Sequence, residues 1–495
     1  MHKGSIGMVI AWGETPNPQE FTFVYSKSDE EFKLLKGMYV YVNSDQGKVM
    51  AIVSNVIKTN RYFSSPSAVK AHEATGKSLA SIFPSDRWEH IIITAKTLGI
   101  FTEDGVERLR YPVAPGEEVF IPDNATLAKF LGLDDENGIY IGDIHEHKLK
   151  VKLNLTRLFQ KHVALLAISG AGKSYTTSVI LEELLNRPPE KGRLAAVLFD
   201  VHGEYKGLAE SAFKDQVEVF PGAFVQFSTP LLTANQIATF QPDISPVQIR
   251  ELNRVLRKLR KNKNEQKESY TINDIIDEIE RDELINSRSK DALVGWLYTL
   301  ENTRLFGFKE NPNIPEVIKQ GKLLIVDLSD FTSLRQKQMI VSYFLQRLFD
   351  LRRRGAIAPT TIILEEAHQF APESGLSMAL SKPIIETIAR EGRKFYISLF
   401  LISQRPVKLS TTALSQCNTH IIMKILNPYD LDFIARSSEG IDRETVNAIT
   451  SLVVGEAIIV GNAVNYPLFL KIRKRKAKTL ETEGLEEIAR KYEEI

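Results

Sequence analysis

The stretch LLAISGAGKSYTT, residues 165–177, restricts what this chain can be more than any other part of it. An apolar run, His162 to Ile168, leads into Ser169-Gly170-Ala171-Gly172-Lys173-Ser174, and an amphipathic run, Tyr175 to Leu185, follows. Strand, glycine turn and helix in that order are the setting of a phosphate-binding loop. Gly170 and Gly172 let the backbone curl until successive N–H groups face inward. The helix opening at Lys173 or Ser174 adds its partial positive charge. Lys173 is then expected to reach the β- and γ-phosphates of ATP, and the Ser174 hydroxyl to bind Mg²⁺. The consensus glycine before this turn is Ala167 here, at the strand end, where a small residue leaves the cradle open.

An ATPase also needs one carboxylate near the metal and one to polarise the attacking water, both at the carboxyl end of a neighbouring strand. TTIILEEAHQF, 360–370, supplies Glu365 and Glu366 after an apolar strand. Adjacent buried acids are costly without a compensating cation, and a nearby metal is a natural one. FYISLFLISQRP, 395–406, carries Gln404 at its tip, where an amide can sense the γ-phosphate. LAAVLFDVHGEY, 194–205, offers Asp200, His202 and Glu204 at a further strand tip.

The set SGAGKS, DVHGEY, LEEAH, AREGRKF and SQRP, in that order, resembles the HerA family of hexameric DNA translocases, within the FtsK–HerA division of RecA-like ATPases. KHVALL before the loop and VGEAIIVGNAV (454–464) extend the similarity over most of 150–475, and more loosely over the N-terminal region. The resemblance implies that Lys173, Ser174, Glu366 and Gln404 serve ATP hydrolysis. Glu366 would act on the water, and Glu365 with Ser174 would face Mg²⁺. It implies nucleotide contacts from Ser169, Gly170, Ala171, Gly172, Tyr175, Thr176 and Asp200, and from Lys471 and Ile472 near the C-terminal end. A trans-acting arginine finger would be Arg393, with Arg390 close behind. Lys161 stands where family members often carry arginine, so a point charge replaces a planar fork.

Period and punctuation divide the chain. Residues 1–150 hold short β-like runs, SIGMVIAW, EFTFVYS, MYVYVN, KVMAIVSNVI and HIIITAKTLGIF, which predict a small antiparallel barrel interrupted by polar or helical sequence at 64–86. It resembles the N-terminal barrel of the HerA family. An α/β, RecA-like P-loop core follows over 151–478, with strands also expected at FVQFS (224–228) and KLLIVDLS (322–329). Between them, 233–318 reads as a helical insertion with i, i+3, i+4 apolar spacing. A helix over Met378–Arg390 leads to Arg393, and a charged helix, 479–495, is placed to brace a neighbouring subunit.

At 495 residues the chain exceeds one core. One cysteine, Cys417, excludes disulfide scaffolds and multi-cysteine zinc sites and suits a cytoplasmic protein. No apolar run reaches a membrane span. His145 and His147 lack companion ligands and are read as surface residues. A net charge of +1 is no polyanion footprint, but a ring needs cations only where loops line its hole. Basic clusters lie at 254–267, 351–355 and 471–478. The reading is a homo-hexameric, ATP- and Mg²⁺-dependent motor on double-stranded DNA, without a membrane. Its co-encoded effector would be a NurA-like nuclease, or another nuclease or sirtuin-like defence enzyme. A secretion or conjugation motor and a non-motor scaffold that activates a bound enzyme are the alternatives.

Overall fold

The computed structural model describes residues 4–26, 33–60, 70, 89–102, 105–266, 269–373, 379–438, 441–477, 486 and 489–490. The interruption read at 64–86 and the helix read at 479–495 lie almost wholly outside the described residues. The chain forms two compact units. One comprises Met1–Glu136, Asp143–Val151 and Val464–Leu470; the other comprises Asn137–Gly142, Lys152–Ala463 and Lys471–Ile495.

In the first unit β1 (Ser5–Ile10), β2 (Glu20–Tyr25), β3 (Tyr39–Ser44), β4 (Gly47–Asn60), β5 (Glu89–Thr102), β6 (Gly105–Glu107) and β7 (Glu118–Phe120) form one sheet in the order β2-β1-β7-β3-β4-β5-β6. The additional pairing of β2 with β5 closes six of these strands into a barrel. Alternate side chains fill it, among them Phe21, Phe23, Val40, Val42, Val49, Ala51, Ile93 and Val119. Register shifts between Met50 and Ala51 and between Val53 and Asn55 bend β4 as closure requires. At Gly7 a side chain would meet the Val24 carbonyl oxygen at 2.4 Å, so only glycine lets β1 approach β2 there. His147 is not a surface residue. It is buried, and its Nε2 accepts the Tyr39 N–H at 2.8 Å; His145's side chain is not among those described.

The second unit is built on β8 (Val163–Leu166), β9 (Ala195–Asp200), β10 (Val217–Pro221), β11 (Leu323–Asp327), β12 (Thr360–Leu364), β13 (Ile397–Ser403), β14 (Thr419–Ile422) and β15 (Glu456–Gly461). Their order is β10-β11-β9-β12-β13-β8-β14-β15, parallel throughout except β14 with β15. The strands are nearly continuous runs of Val, Ile, Leu and Phe, as a sheet covered on both faces demands. The Glu365-Glu366 strand, β12, is not the immediate neighbour of the loop strand β8. The Gln404 strand, β13, lies between them.

FVQFS is not a strand of the large sheet: Gly222–Phe224 is a 3₁₀ turn, and Phe227–Ser228 pairs with Phe306–Gly307 in a separate two-stranded sheet, beside a bridge from Gln226 to Asn311. The edge strand is VEVFP instead, only five residues long, with the exposed Glu218 in it and a proline at its end. Phe227 stacks on Tyr343 at 4.3 Å and Phe240 at 5.5 Å, and meets Phe306 edge-on at 5.3 Å. Such pairs contribute roughly 0.5–1.5 kcal/mol each beyond buried area. They anchor a helical stretch that follows α1 (Lys173–Asn186) in the chain: α2 (Ala234–Phe240), α3 (Pro246–Gln266), α4 (Ile272–Arg281) and α5 (Ser287–Glu301). In α3, Leu252, Val255, Leu256 and Leu259 form the buried stripe that the spacing predicts.

Two buried histidines brace the loop strand. His162 takes a left-handed turn (φ 61°) into β8; its Nδ1 accepts the Leu399 N–H at 2.9 Å and its Nε2 faces the Ala389 carbonyl at 2.9 Å. His420 lies in the adjacent strand β14. Burial holds both imidazoles down to about 4 from the ordinary 6.5. The unfolded chain therefore binds protons that the folded chain refuses between these values, and stability falls as pH drops from about 6.5 towards 4. Each histidine should contribute a slope of up to ~1.4 kcal/mol per pH unit in that window. Denaturant unfolding between pH 7.5 and 4.5 should show it, and His162→Asn should flatten it while lowering stability at pH 7.5.

Candidate active site

The parallel register brings the strand ends together. Leu166 pairs with Ser403 on one side and Ile422 on the other, while Leu364 pairs with Leu401. The chains emerging from β8, β12 and β13 thus turn at nearly the same height. Ala167 is fully buried and donates its N–H to the Ser403 carbonyl at 3.2 Å, so the missing consensus glycine falls in the sheet, outside the cradle. Gly170 (φ 78°) and Gly172 (φ 105°) are left-handed, and a side chain on Gly172 would stand 3.2 Å from Met423 Cε. Helix α1 begins at Lys173 with Gly172 as N-cap and no side-chain cap. Its first N–H groups are left to a ligand, the chemistry of an anion cradle.

Lys173 Nζ donates to the Ile168 carbonyl at 3.2 Å, inside the curl. Burial lowers its pKa, opposed by Glu366, Glu204 and Glu365. Ser174 donates its hydroxyl to the Glu204 carboxylate in a short hydrogen bond. Glu204, at the tip of the DVHGEY strand, is thus the acid that holds the loop serine.

Asp200 is fully buried. Its Oδ1 accepts from the N–H groups of His202, Gly203 and Glu204 at 3.3, 2.7 and 3.2 Å, and its Oδ2 from Tyr205 at 3.0 Å. That set folds the 202–205 loop and presents Glu204 to Ser174, so Asp200 organises the loop and has no free face for nucleotide. Glu365 accepts the Val201 N–H at 2.9 Å and hydrogen-bonds Asp200. Burial, then the Asp200 charge, push its carboxyl up to about 9, so the pair keeps one proton at neutral pH.

Glu366 is 4 % exposed and left-handed (φ 47°), which turns its carboxylate off the strand line. Burial raises its pKa, opposed by Lys173, by His202 and by a hydrogen bond from the Gln404 backbone. Oε2 of Glu366 is buried with no hydrogen-bond donor. His368 Nδ1 lies 3.3 Å from it, but burial and nearby cations hold that imidazole down to about 4, so the ring is neutral and the contact is no ion pair. A buried carboxylate oxygen without a donor is the position an attacking water needs.

The remaining expected residues divide. Thr176 does not reach a nucleotide through its side chain: it is fully buried against Met423 Sδ, and its N–H goes to the Gly172 carbonyl. The Tyr175 hydroxyl accepts the Arg475 N–H at 2.8 Å. Ile472 donates to the Gly455 carbonyl at 2.8 Å, and Gly455 donates to Ala171 at 3.5 Å, which ties the C-terminal strand to the loop. Lys471 is exposed, and Lys161 is half-buried, its carbonyl accepting from Asn418. The helix before Arg393 is α7, Lys382–Glu391 (after α6, Leu334–Arg353), and so starts later than the expected Met378, which is not described. Arg390 lies 4.0 Å from Glu386, whereas Arg393 is exposed in the 3₁₀ turn Gly392–Phe395 with no carboxylate within 4.0 Å among the described residues.

Much of the basic sequence is internal structure. Arg254 pairs with Asp282 at 2.9 Å and Lys258 with Glu278; Arg352 donates to the Phe395 carbonyl at 2.8 Å, and Arg473 is buried. Among the described residues no group of three or more His, Cys, Asp or Glu side chains could hold a metal, and no helix is long and apolar enough to cross a membrane. A metal arriving with a nucleotide would find Ser174 and Glu204.

A parallel sheet, an uncapped glycine-rich loop opening a helix, and a buried acid beside its lysine define a P-loop ATPase. Residues 139–348 match the family model "Helicase HerA, central domain". The chain is 32 % identical over 368 residues to the DNA double-strand break repair helicase HerA of Saccharolobus solfataricus, covering 69 % of this chain and 70 % of that protein. It is 28 % identical over 441 residues to the protein of the same name from Pyrococcus furiosus, covering 78 % of each. The fold is similar to VirB4 of Thermoanaerobacter pseudethanolicus (TM-score 0.52, 14 % identity, covering 69 % of this chain and 98 % of that one). The chain belongs to the HerA family, and it is an ATP-hydrolysing enzyme.

Glu366→Gln should retain Mg-ATP binding yet turn over at least ~100-fold more slowly, the usual scale for a lost general base. Steady-state ATPase with parallel calorimetry checks it. Near-normal turnover would move the role to another acid.

Proposed function

We propose that this chain is a hexameric, ATP-driven translocase on double-stranded DNA that works with a partner nuclease or another effector enzyme. The observation that carries the ring is Arg393. An exposed guanidinium follows α7, without an acidic partner among the described residues, and α7 packs beside the catalytic strands. An arginine supplied by a neighbour neutralises charge developing on a γ-phosphate and is worth roughly 10³–10⁵ in rate in related systems. Lys173 and Ser174 hold Mg-ATP, Glu366 polarises the water, and Gln404, at the tip of the neighbouring strand, senses the γ-phosphate. Hydrolysis then depends on contact between subunits, and successive firing can move a polymer through the hole.

DNA as that polymer is supported by the names of the relatives, which are DNA double-strand break repair helicases. A motor must hold backbone and not bases, so sequence preference should be slight. The cations available to it are exposed ones such as Arg257, Lys261 and Arg354, for which no ion pair stands among the described residues, because Arg254, Lys258 and Arg352 are used within the fold.

Double-stranded DNA should stimulate the ATPase, and affinity should fall steeply with salt, roughly −0.9 in log–log slope per neutralised phosphate. Arg393→Ala and Glu366→Gln subunits, each inactive alone, should recover activity when mixed, since a mixed interface can join an intact finger to an intact base. Arg390→Ala serves as the comparison. No DNA stimulation would favour a scaffold, and no recovery in mixed rings verified by native mass spectrometry would remove Arg393 from a trans role.

A further inference from the structure

Behind the phosphate loop lies a buried charge cluster that hydrolysis does not use. Arg473, 7 % exposed, donates through NH1 to Glu182 Oε2 at 2.8 Å and through NH2 to Glu183 Oε1 at 2.9 Å. Its Nε donates to the Tyr140 carbonyl at 3.0 Å, and NH2 also reaches the Val179 carbonyl at 3.3 Å. Glu182 and Glu183 both belong to α1, the helix that the phosphate loop opens. Glu182 is fully buried, and its second oxygen accepts the N–H groups of Lys476 and Ala477, each at 2.7 Å. One turn into the same helix, Tyr175 accepts the Arg475 N–H at 2.8 Å, and the Arg475 guanidinium covers the Tyr175 ring at 5.5 Å. On the other side of the loop, Ile472 bonds Gly455 and Gly455 bonds Ala171.

We propose that residues 472–477 are a strap that sets the position of the phosphate loop, with Arg473 as its positioning residue. The strap grips the helix at Tyr175, Val179, Glu182 and Glu183 and reaches the loop through Gly455, which bonds Ala171, so a shift of the loop against its helix strains both links. A planar, always charged guanidinium suits this task, because its rigid fork addresses two carboxylates and the carbonyls of Tyr140, Val179 and Lys474 at once; lysine cannot. Charge matters as well as geometry. Without Arg473, the buried Glu182 and the half-buried Glu183 would lose their cation on the very helix whose N-terminus must attract a polyphosphate.

This inference rests on ATP binding at the loop and is independent of what polymer the motor moves. Arg473→Lys should raise the KM for ATP at least ~10-fold while kcat changes less than about 3-fold, the signature of lost ground-state positioning. Glu183→Gln, which removes one grip and leaves Glu182 in place, should raise KM by a smaller factor, and it carries the test if Arg473→Lys does not fold. In the unaltered protein, Mg-ATPγS should slow hydrogen exchange at the amides of Ile472, Lys476 and Ala477. A folded Arg473→Lys or Glu183→Gln enzyme with unchanged KM would overturn the proposal. So would strap amides indifferent to Mg-ATPγS that binds with normal affinity.

Discussion

The ammonium of Lys173 lies half-buried with Glu204, Glu365 and Glu366 around it, and their charges set the state of the carboxyl edge of the core sheet. Burial lowers the pKa of the lysine and raises those of Glu365 and Glu366, so each alone would tend to lose its charge. Together they do not all need to. Glu365 keeps a proton shared with Asp200, Glu366 remains beside the lysine, and Glu204 is turned aside to Ser174. One cation is thus not asked to balance three anions. The arrangement depends on parallel strands ending at nearly one height, on two left-handed glycines that let the loop pass under the lysine, and on a left-handed Glu366.

Sequence carried much of this because phosphate chemistry leaves little freedom. The loop, the strand tips and the barrel runs each show a local pattern with one physical reading. What escaped was non-local. Nothing in DVHGEY says that Asp200 will spend its oxygens on four N–H groups so that Glu204 can meet Ser174. Thr176 belongs to the loop motif, but the helical turn aims it at Met423. His147 looks like a surface histidine until the barrel brings Tyr39 to it. Strand β7, three residues long, gives no periodicity, and yet it pairs with β1 and β3 to complete the barrel. FVQFS is apolar enough to read as a strand, but Phe227 is taken up by the aromatic cluster with Tyr343, Phe240 and Phe306.

The same contrast applies to charge. Sequence gathers cations into three runs, whereas the fold distributes their members among ion pairs, carbonyl contacts and a buried cluster. Arg473 sits in the most basic of these runs and is among the least exposed arginines of the protein. A count of basic residues therefore says little about a nucleic-acid surface here, and the informative arginine is the exposed one after α7.

The central claim is that Lys173, Ser174, Glu366 and Gln404 close on one phosphate with Glu366 holding the water. A cryo-electron microscopy structure with Mg²⁺, ADP and aluminium fluoride tests it most directly. The account predicts phosphates on the N–H groups of residues 170–174, Lys173 moved from the Ile168 carbonyl to the fluoride, and a water between Glu366 Oε2 and the aluminium. Fluoride held away from Lys173, or the water held by Glu365 or Glu204 with Glu366 turned outward, would contradict it.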